Sequence, residues 1–175
     1  MSEDLQYPIG KYSYTLRHSA LQRAALIKSI AELPAKVRAT VEPLSAEQLA
    51  TPYRPGGWTV RQLVHHIADS HLHAYIRTHW ALTEDTPRIK AYNEASWAEL
   101  PDYEGPVNLS LGLLEQVQQR WVYLLEHLPE DAWGRAFEHP ETDARVTLDE
   151  MLGTYDWHGR HHLAHIERLI AREGW

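Results

Sequence analysis

The chain has 175 residues, of which 43% are hydrophobic and 23% charged, with 10 Pro and 9 Gly. That composition belongs to a globular domain and excludes a disordered, collagenous or low-complexity chain. Seventeen basic against 24 acidic residues give a formal charge of −7, and the basic side chains form no dense patch, so neither nucleic acid nor an anionic membrane is an expected partner. No apolar run reaches the roughly 18 residues of a membrane span, and MSEDLQYP lacks the basic-then-apolar form of a leader, so the expected location is the cytoplasm. The length suits one domain over residues 1–175.

Cysteine is absent, which removes disulfides, thiolate ligands and a protein thiol nucleophile together; a metal would have to be held by His, carboxylate or water. The chain carries 12 His against 1 Phe, and His158, His161, His162 and His165 fall close together.

In chain order, Leu16, Ala20, Leu21, Ala24, Ile27, Ile30, Val37 and Val41 recur at helical spacing and predict a first helix from Tyr14 to about Glu42, kinked or restarted at Pro34. Ser45 can cap a short turn before Gly56 and Gly57. Thr59 with Gln62 has the capping-box form and opens a second helix running to about Leu82. Residues 84–107 read as a long aromatic-pinned loop with one helical turn at Glu94 to Glu99. Asn108 can cap a third helix that ends before Pro129, and a weak hairpin signal covers Phe137 to Val146. Thr147 with Glu150 caps a fourth helix reaching about Arg172. Four amphipathic helices predict an all-α four-helix bundle with a long crossover loop.

The fourth helix contains two i, i+4 histidine pairs. At about 100° per residue, His162 and His158 lie about 40° and 80° from its apolar direction, whereas His165 and His161 lie about 100° and 140° away. The inward pair is therefore His158 with His162, and two imidazoles on one face can share a divalent metal. A catalytic zinc commonly has three protein ligands and an open position, so another helix should add a third. The second helix offers five histidines; periodicity puts His71 nearest its apolar centre, with His66 about 105° and His65 about 155° off. Geometry alone thus favours His71. A metal-free core of hydrogen-bonded histidines would show the same wheel.

The segments YPIGKY, TPYRPGGWTVRQLVHHIADSH, ALTEDTPRIKAYNEASWAELPD, EHPET and WHGRHHLAHI resemble the YfiT branch of the DinB-like superfamily almost from end to end. The resemblance implies a four-helix bundle binding one divalent metal, zinc or nickel, through three histidines that carry over to His66, His158 and His162. It also implies a homodimer acting on a small-molecule substrate, either as a metal-dependent hydrolase or as a bacillithiol S-transferase with bacillithiol as cosubstrate.

His71, Asp69 and Asp156 are the candidates for orienting the ligand imidazoles. Tyr53, Arg54, Trp58 and Trp97 are candidates for a substrate pocket, and Asp69, Glu94 and His139 for the general acid or base. His18, His65, His73, His79 and His127 read as surface or packing residues. Leu72, Ile76 and Trp80 lie off the apolar direction of the second helix and offer a dimer contact. No HExxH, P-loop or GxSxG motif is present, so metalloprotease, nucleotide-triphosphatase and α/β-hydrolase chemistry have no support. A divalent ion on three histidines activates water or a thiol; the cysteine-free chain suits the thiol, since the cosubstrate then brings the only one. The alternative from a different class is a non-catalytic binding or stress-response module in which the metal only staples the second and fourth helices.

Overall fold

The computed structural model describes residues 5–175, so the first four residues of the expected domain lie outside the described residues. Four long helices, α1 (Ala20–Val41), α3 (Val60–Thr83), α5 (Val107–Glu126) and α6 (Leu148–Glu173), form the bundle. Two short helices, α2 (Ala46–Leu49) and α4 (Glu94–Trp97), sit in the connections, and β1 (Ala136–His139) pairs antiparallel with β2 (Ala144–Thr147) in the expected hairpin.

Three predicted starts are built as the sequence indicates: Ser45, Thr59 and Thr147 each form a capping box with the Gln or Glu three residues on, each such cap contributing about 1 kcal/mol. Two helix starts differ. α1 begins at Ala20, because Ser19 caps it through Gln22 and the backbone N–H of His18 is held by the Asp149 carboxylate of α6, keeping the preceding segment extended. Leu16 and Leu21 accordingly stay exposed. α1 then runs through Pro34 without restarting. α5 begins at Val107 after Pro106, so Asn108 lies inside the first turn and caps nothing.

α1 packs on α5 and α6, and so does α3, which leaves α1 opposite α3 and α5 opposite α6. The connections 42–59 and 127–147 therefore cross the bundle diagonals, while the long segment 84–106 joins neighbours. That segment is pinned by β1: Ile89 N–H donates to Glu138 O (3.1 Å) and Glu138 N–H to Pro87 O (2.9 Å). No helix of the described residues is long and apolar enough to cross a membrane.

The apolar core falls into two clusters, one around Trp121, Leu152 and Phe137, the other around Leu63, Leu114 and Ile166. The seam between them, bounded by Ala68 and Ala74 on α3 and by Tyr155 and Leu163 on α6, is where polar side chains enter. Gly159 sits in this seam against α1. A Cβ there would stand 2.4 Å from Leu33 Cδ2 and 3.4 Å from His71 Nε2. Gly159→Ala is expected to destabilise the fold by about 1–3 kcal/mol through overpacking, read as a lower urea midpoint at unchanged slope.

Candidate metal centre

Three histidines from two helices converge in the seam. His66 Nε2 lies 3.2 Å from His158 Nε2, which lies 3.2 Å from His162 Nε2, and all three nitrogens fall within 4.8 Å of one another. Two nitrogens each about 2.0–2.1 Å from a common tetrahedral ion would stand about 3.3 Å apart, so the spacing fits a divalent cation. His158 and His162 are one turn apart on α6 and so share a face. His66 is on the flank of α3 that turns toward α6.

The protonation states fit as well. Burial pulls His66 down to about 4. Burial, reinforced by the neighbouring histidines, holds His158 and His162 well below the ordinary imidazole range. All three rings are neutral at physiological pH, the form that ligates a metal.

The cavity beside the triad has a volume of about 330 Å³ and is walled by Trp58, Ser70, Arg77, Tyr92, His139 and Tyr155, with Glu94 and Glu141 at an exposed edge. Trp58 packs on His66 (ring centroids 4.6 Å apart) and Tyr155 on His158 (5.8 Å). Tyr92 stacks on His73 at 4.1 Å and is propped from behind by Trp97 at 4.7 Å.

A family model described as the DinB superfamily matches residues 29–166. The chain belongs to the DinB superfamily. Among similar members, a Bacillus subtilis (strain 168) protein called "Putative metal-dependent hydrolase YfiT" is 46% identical, over 99% of this chain and 98% of its own length. A Bacillus pumilus protein called "Putative metal-dependent hydrolase" is 47% identical, over 98% of both. The solved structure of the B. subtilis protein, described as a probable metal-dependent hydrolase with an unusual four-helix bundle topology, superposes with a TM-score of 0.96 at 46% identity, covering 98% of this chain and 99% of that one.

In this DinB-superfamily chain the two carboxylates expected to orient the ligand imidazoles do not reach the triad, whereas the His71 ring packs on His158 (ring centroids 5.9 Å apart) without hydrogen-bonding to it. Asp69 accepts the Tyr103 hydroxyl (2.6 Å), which takes its carboxylate away from His66 one turn before it. Asp156 pairs with Arg160 (2.6 Å) along α6. His71 is fully buried and its Nδ1 meets the Gln118 amide at 2.8 Å, so the residue at the centre of the apolar stripe belongs to the core seam. Among the described residues the Nδ1 atoms of His66, His158 and His162 have no partner; the His66 ring packs against Trp58, the His158 ring against Tyr155 and His71, and the His162 ring against neighbouring histidines.

Of the general acid or base candidates, His139 and Glu94 line the cavity and Asp69 does not. Burial, and then the charge of Arg77, pull His139 below its ordinary value. Of the pocket candidates, Trp58 is in the wall and Trp97 stands behind Tyr92. Tyr53 and Arg54 are elsewhere: the Tyr53 ring packs on His165 (4.0 Å), and Arg54 donates to the Tyr53 hydroxyl (3.0 Å).

The pair placed outward by the wheel, His161 and His165, is buried, at 7% and 3% exposure. Distant chain and a neighbour on α6 itself cover it. Tyr53 lies on His165 and Tyr7 on His161 (ring centroids 6.1 Å apart), while Trp157, one turn earlier on α6, stacks on His161 at 4.4 Å and its Nε1 donates to Gly10 O (3.3 Å) to hold the N-terminal segment down. His161, His162 and His165 also form a compact group. The Nε2 atoms of His161 and His165 stand 3.0 Å apart, much as those of the first triad do, but the positive charges of Arg54 and Arg168 bear on His165 and oppose a cation there. His65 is likewise buried rather than superficial, its ring nitrogens meeting Ser110 Oγ (2.7 Å) and Gly105 O (3.3 Å).

Two wall residues escaped the sequence reading: Ser70 and Arg77. With His66 and His73 they follow an i, i+4, i+7, i+11 stripe on α3, so the face carrying a ligand candidate could have been extended to them.

Proposed function

We propose that this DinB-superfamily chain is a cytoplasmic metal-dependent enzyme in which His66, His158 and His162 hold one divalent cation, zinc or nickel, and that it transfers the sulfur of a small thiol of the bacillithiol type to an electrophile. The observation that carries the enzymatic reading is the cavity itself. A structural metal site is closed by its ligands, whereas this triad borders about 330 Å³ of space. Bound there, a divalent cation supplies Lewis acidity that lowers the pKa of a thiol or a water placed beside it.

The chain's own groups do the rest. The three imidazoles stay neutral because they are buried, Trp58 and Tyr92 limit water, and His139, also neutral, is the cavity-wall group able to accept the thiol proton. The thiolate sulfur then forms the new bond to carbon while the leaving group departs with its electron pair. Cysteine is absent from the chain, so no protein thiol competes at the site.

A second reading, hydrolysis with water as nucleophile at the same triad, is favoured by the names of the relatives. The two separate in one assay: bacillithiol and an activated aryl halide are incubated with metal-loaded and chelated protein. Chelator-sensitive thiol consumption is the expected result; a loaded protein that consumes no thiol but cleaves ester or amide substrates would favour hydrolysis. We also propose a homodimer through α3, where Trp80 is 36% exposed and Leu72 and Ile76 are partly so.

A further inference from the structure

Arg77 is only 8% exposed, yet among the described residues no carboxylate pairs with it. Its Nη1 donates to the Tyr155 hydroxyl at 3.2 Å, and its Nε is buried without a partner. A buried guanidinium normally carries a carboxylate, because desolvating the charge is costly unless it is paired. Here the cationic fork instead forms part of the wall of the cavity that holds the histidine triad. It also contributes to the neighbouring cavity of about 280 Å³, which shares Ser70, His139, Tyr155 and His158 with the first.

We infer that Arg77, with the Tyr155 hydroxyl beside it, binds a carboxylate or similar oxyanion of the substrate, so that the enzyme acts on small anionic molecules. A guanidinium presents parallel N–H donors that match two oxygens of a carboxylate, and a buried site strengthens the pair. Tyr155 spans the distance to the triad: its hydroxyl meets Arg77 and its ring packs on His158 at 5.8 Å. One small molecule can therefore lie with its anionic end on Arg77 and its reacting end at the histidines. Glu94 and Glu141, the acidic groups on the same cavity, are exposed at its edge, where water screens them. The reacting end depends on the proposed metal-dependent function; the anion site of Arg77 does not.

The test separates the two. Chelated protein is titrated with succinate and with its neutral diamide by calorimetry, in wild type and in Arg77→Gln and Arg77→Lys. Wild type is expected to prefer the dianion by roughly 10-fold or more. Arg77→Gln should abolish the preference, and Arg77→Lys should retain part of it. Equal binding of dianion and diamide by wild type, or a preference that survives in Arg77→Gln, would overturn the inference. Metal-loaded protein is then titrated with 3-mercaptopropionate and its methyl ester. Arg77-dependent succinate binding without any metal effect on the thiol would leave the anion site standing while the proposed function fails. A thermal melt of Arg77→Met gives a readout independent of ligand. Removing an unpaired buried charge should leave Tm unchanged or raise it, whereas a large fall would show that the arginine serves the fold and would overturn its assignment to substrate.

Discussion

Replacing His158 or His162 by alanine is expected to abolish stoichiometric metal binding, and His66→Ala to do the same, while His161→Ala keeps most of it. Loss of a group that merely supports a ligand typically lowers affinity 10–100-fold, so loss of one of three ligands should exceed about 100-fold, with turnover falling in step. The contrast rests on setting: His66, His158 and His162 point Nε2 atoms at one locus beside the cavity, whereas His161 and His165 do not line that cavity and the charges of Arg54 and Arg168 bear on His165. Metal content of untagged variants, measured by mass spectrometry after dialysis, checks it. Retention of metal by His158→Ala together with its loss from His161→Ala would place the ion in the other histidine group.

The second large effect is on acid stability of the metal-free protein. His71 is fully buried, and burial pulls it from an ordinary 6.5 to about 3. Its folded pKa lies below its unfolded one, so the unfolded chain binds the extra proton. The stabilising contribution is therefore complete above about pH 6.5 and is lost as pH falls toward about 3, with a slope near 1.4 kcal/mol per unit. Between pH 6.5 and 4.5 this group alone costs roughly 2 kcal/mol. His66, pulled to about 4 by burial, acts in the same direction. Urea midpoints measured against pH check the sign, and His71→Gln should flatten the slope by about one proton. An unchanged slope in that variant would assign the acid sensitivity to other groups.

The bundle was legible because its helices announce themselves locally. Thr59 with Gln62 and Thr147 with Glu150 form the capping boxes their spacing predicts, and the apolar stripes between them have no rival period. The helical phase of α6 also brings His158 and His162 together on the side facing α3. Phase failed where burial is decided by chain from elsewhere. His161 and His165 look outward on a wheel, but Tyr53 covers His165 and Tyr7 of the N-terminal segment lies on His161, that segment being held by Trp157 through Gly10. The same limit applies on α3. The apolar centre of a stripe points into the middle of the bundle, where His71 meets Gln118, whereas a ligand shared with α6 must stand on the flank, where His66 is. Resemblance pointed to His66, which the structure sets beside His158; periodicity pointed to His71.

Asp69 and Asp156 show a related limit. A carboxylate one turn from a histidine is available to it in sequence, yet each is taken by a nearer donor, Tyr103 and Arg160 respectively. Arg77 shows the reverse. One arginine on a long helix reads as a solvated charge, and only the tertiary setting, with Tyr155 as neighbour and no carboxylate paired with it among the described residues, marks it out.

An anomalous difference map at the metal absorption edge, from crystals of untagged protein soaked in zinc or nickel, locates the ion directly. One peak per chain, about 2.0–2.1 Å from the Nε2 atoms of His66, His158 and His162 and open to the cavity on its remaining side, is the predicted result. A peak between His161 and His165, or none in soaked crystals, would contradict it.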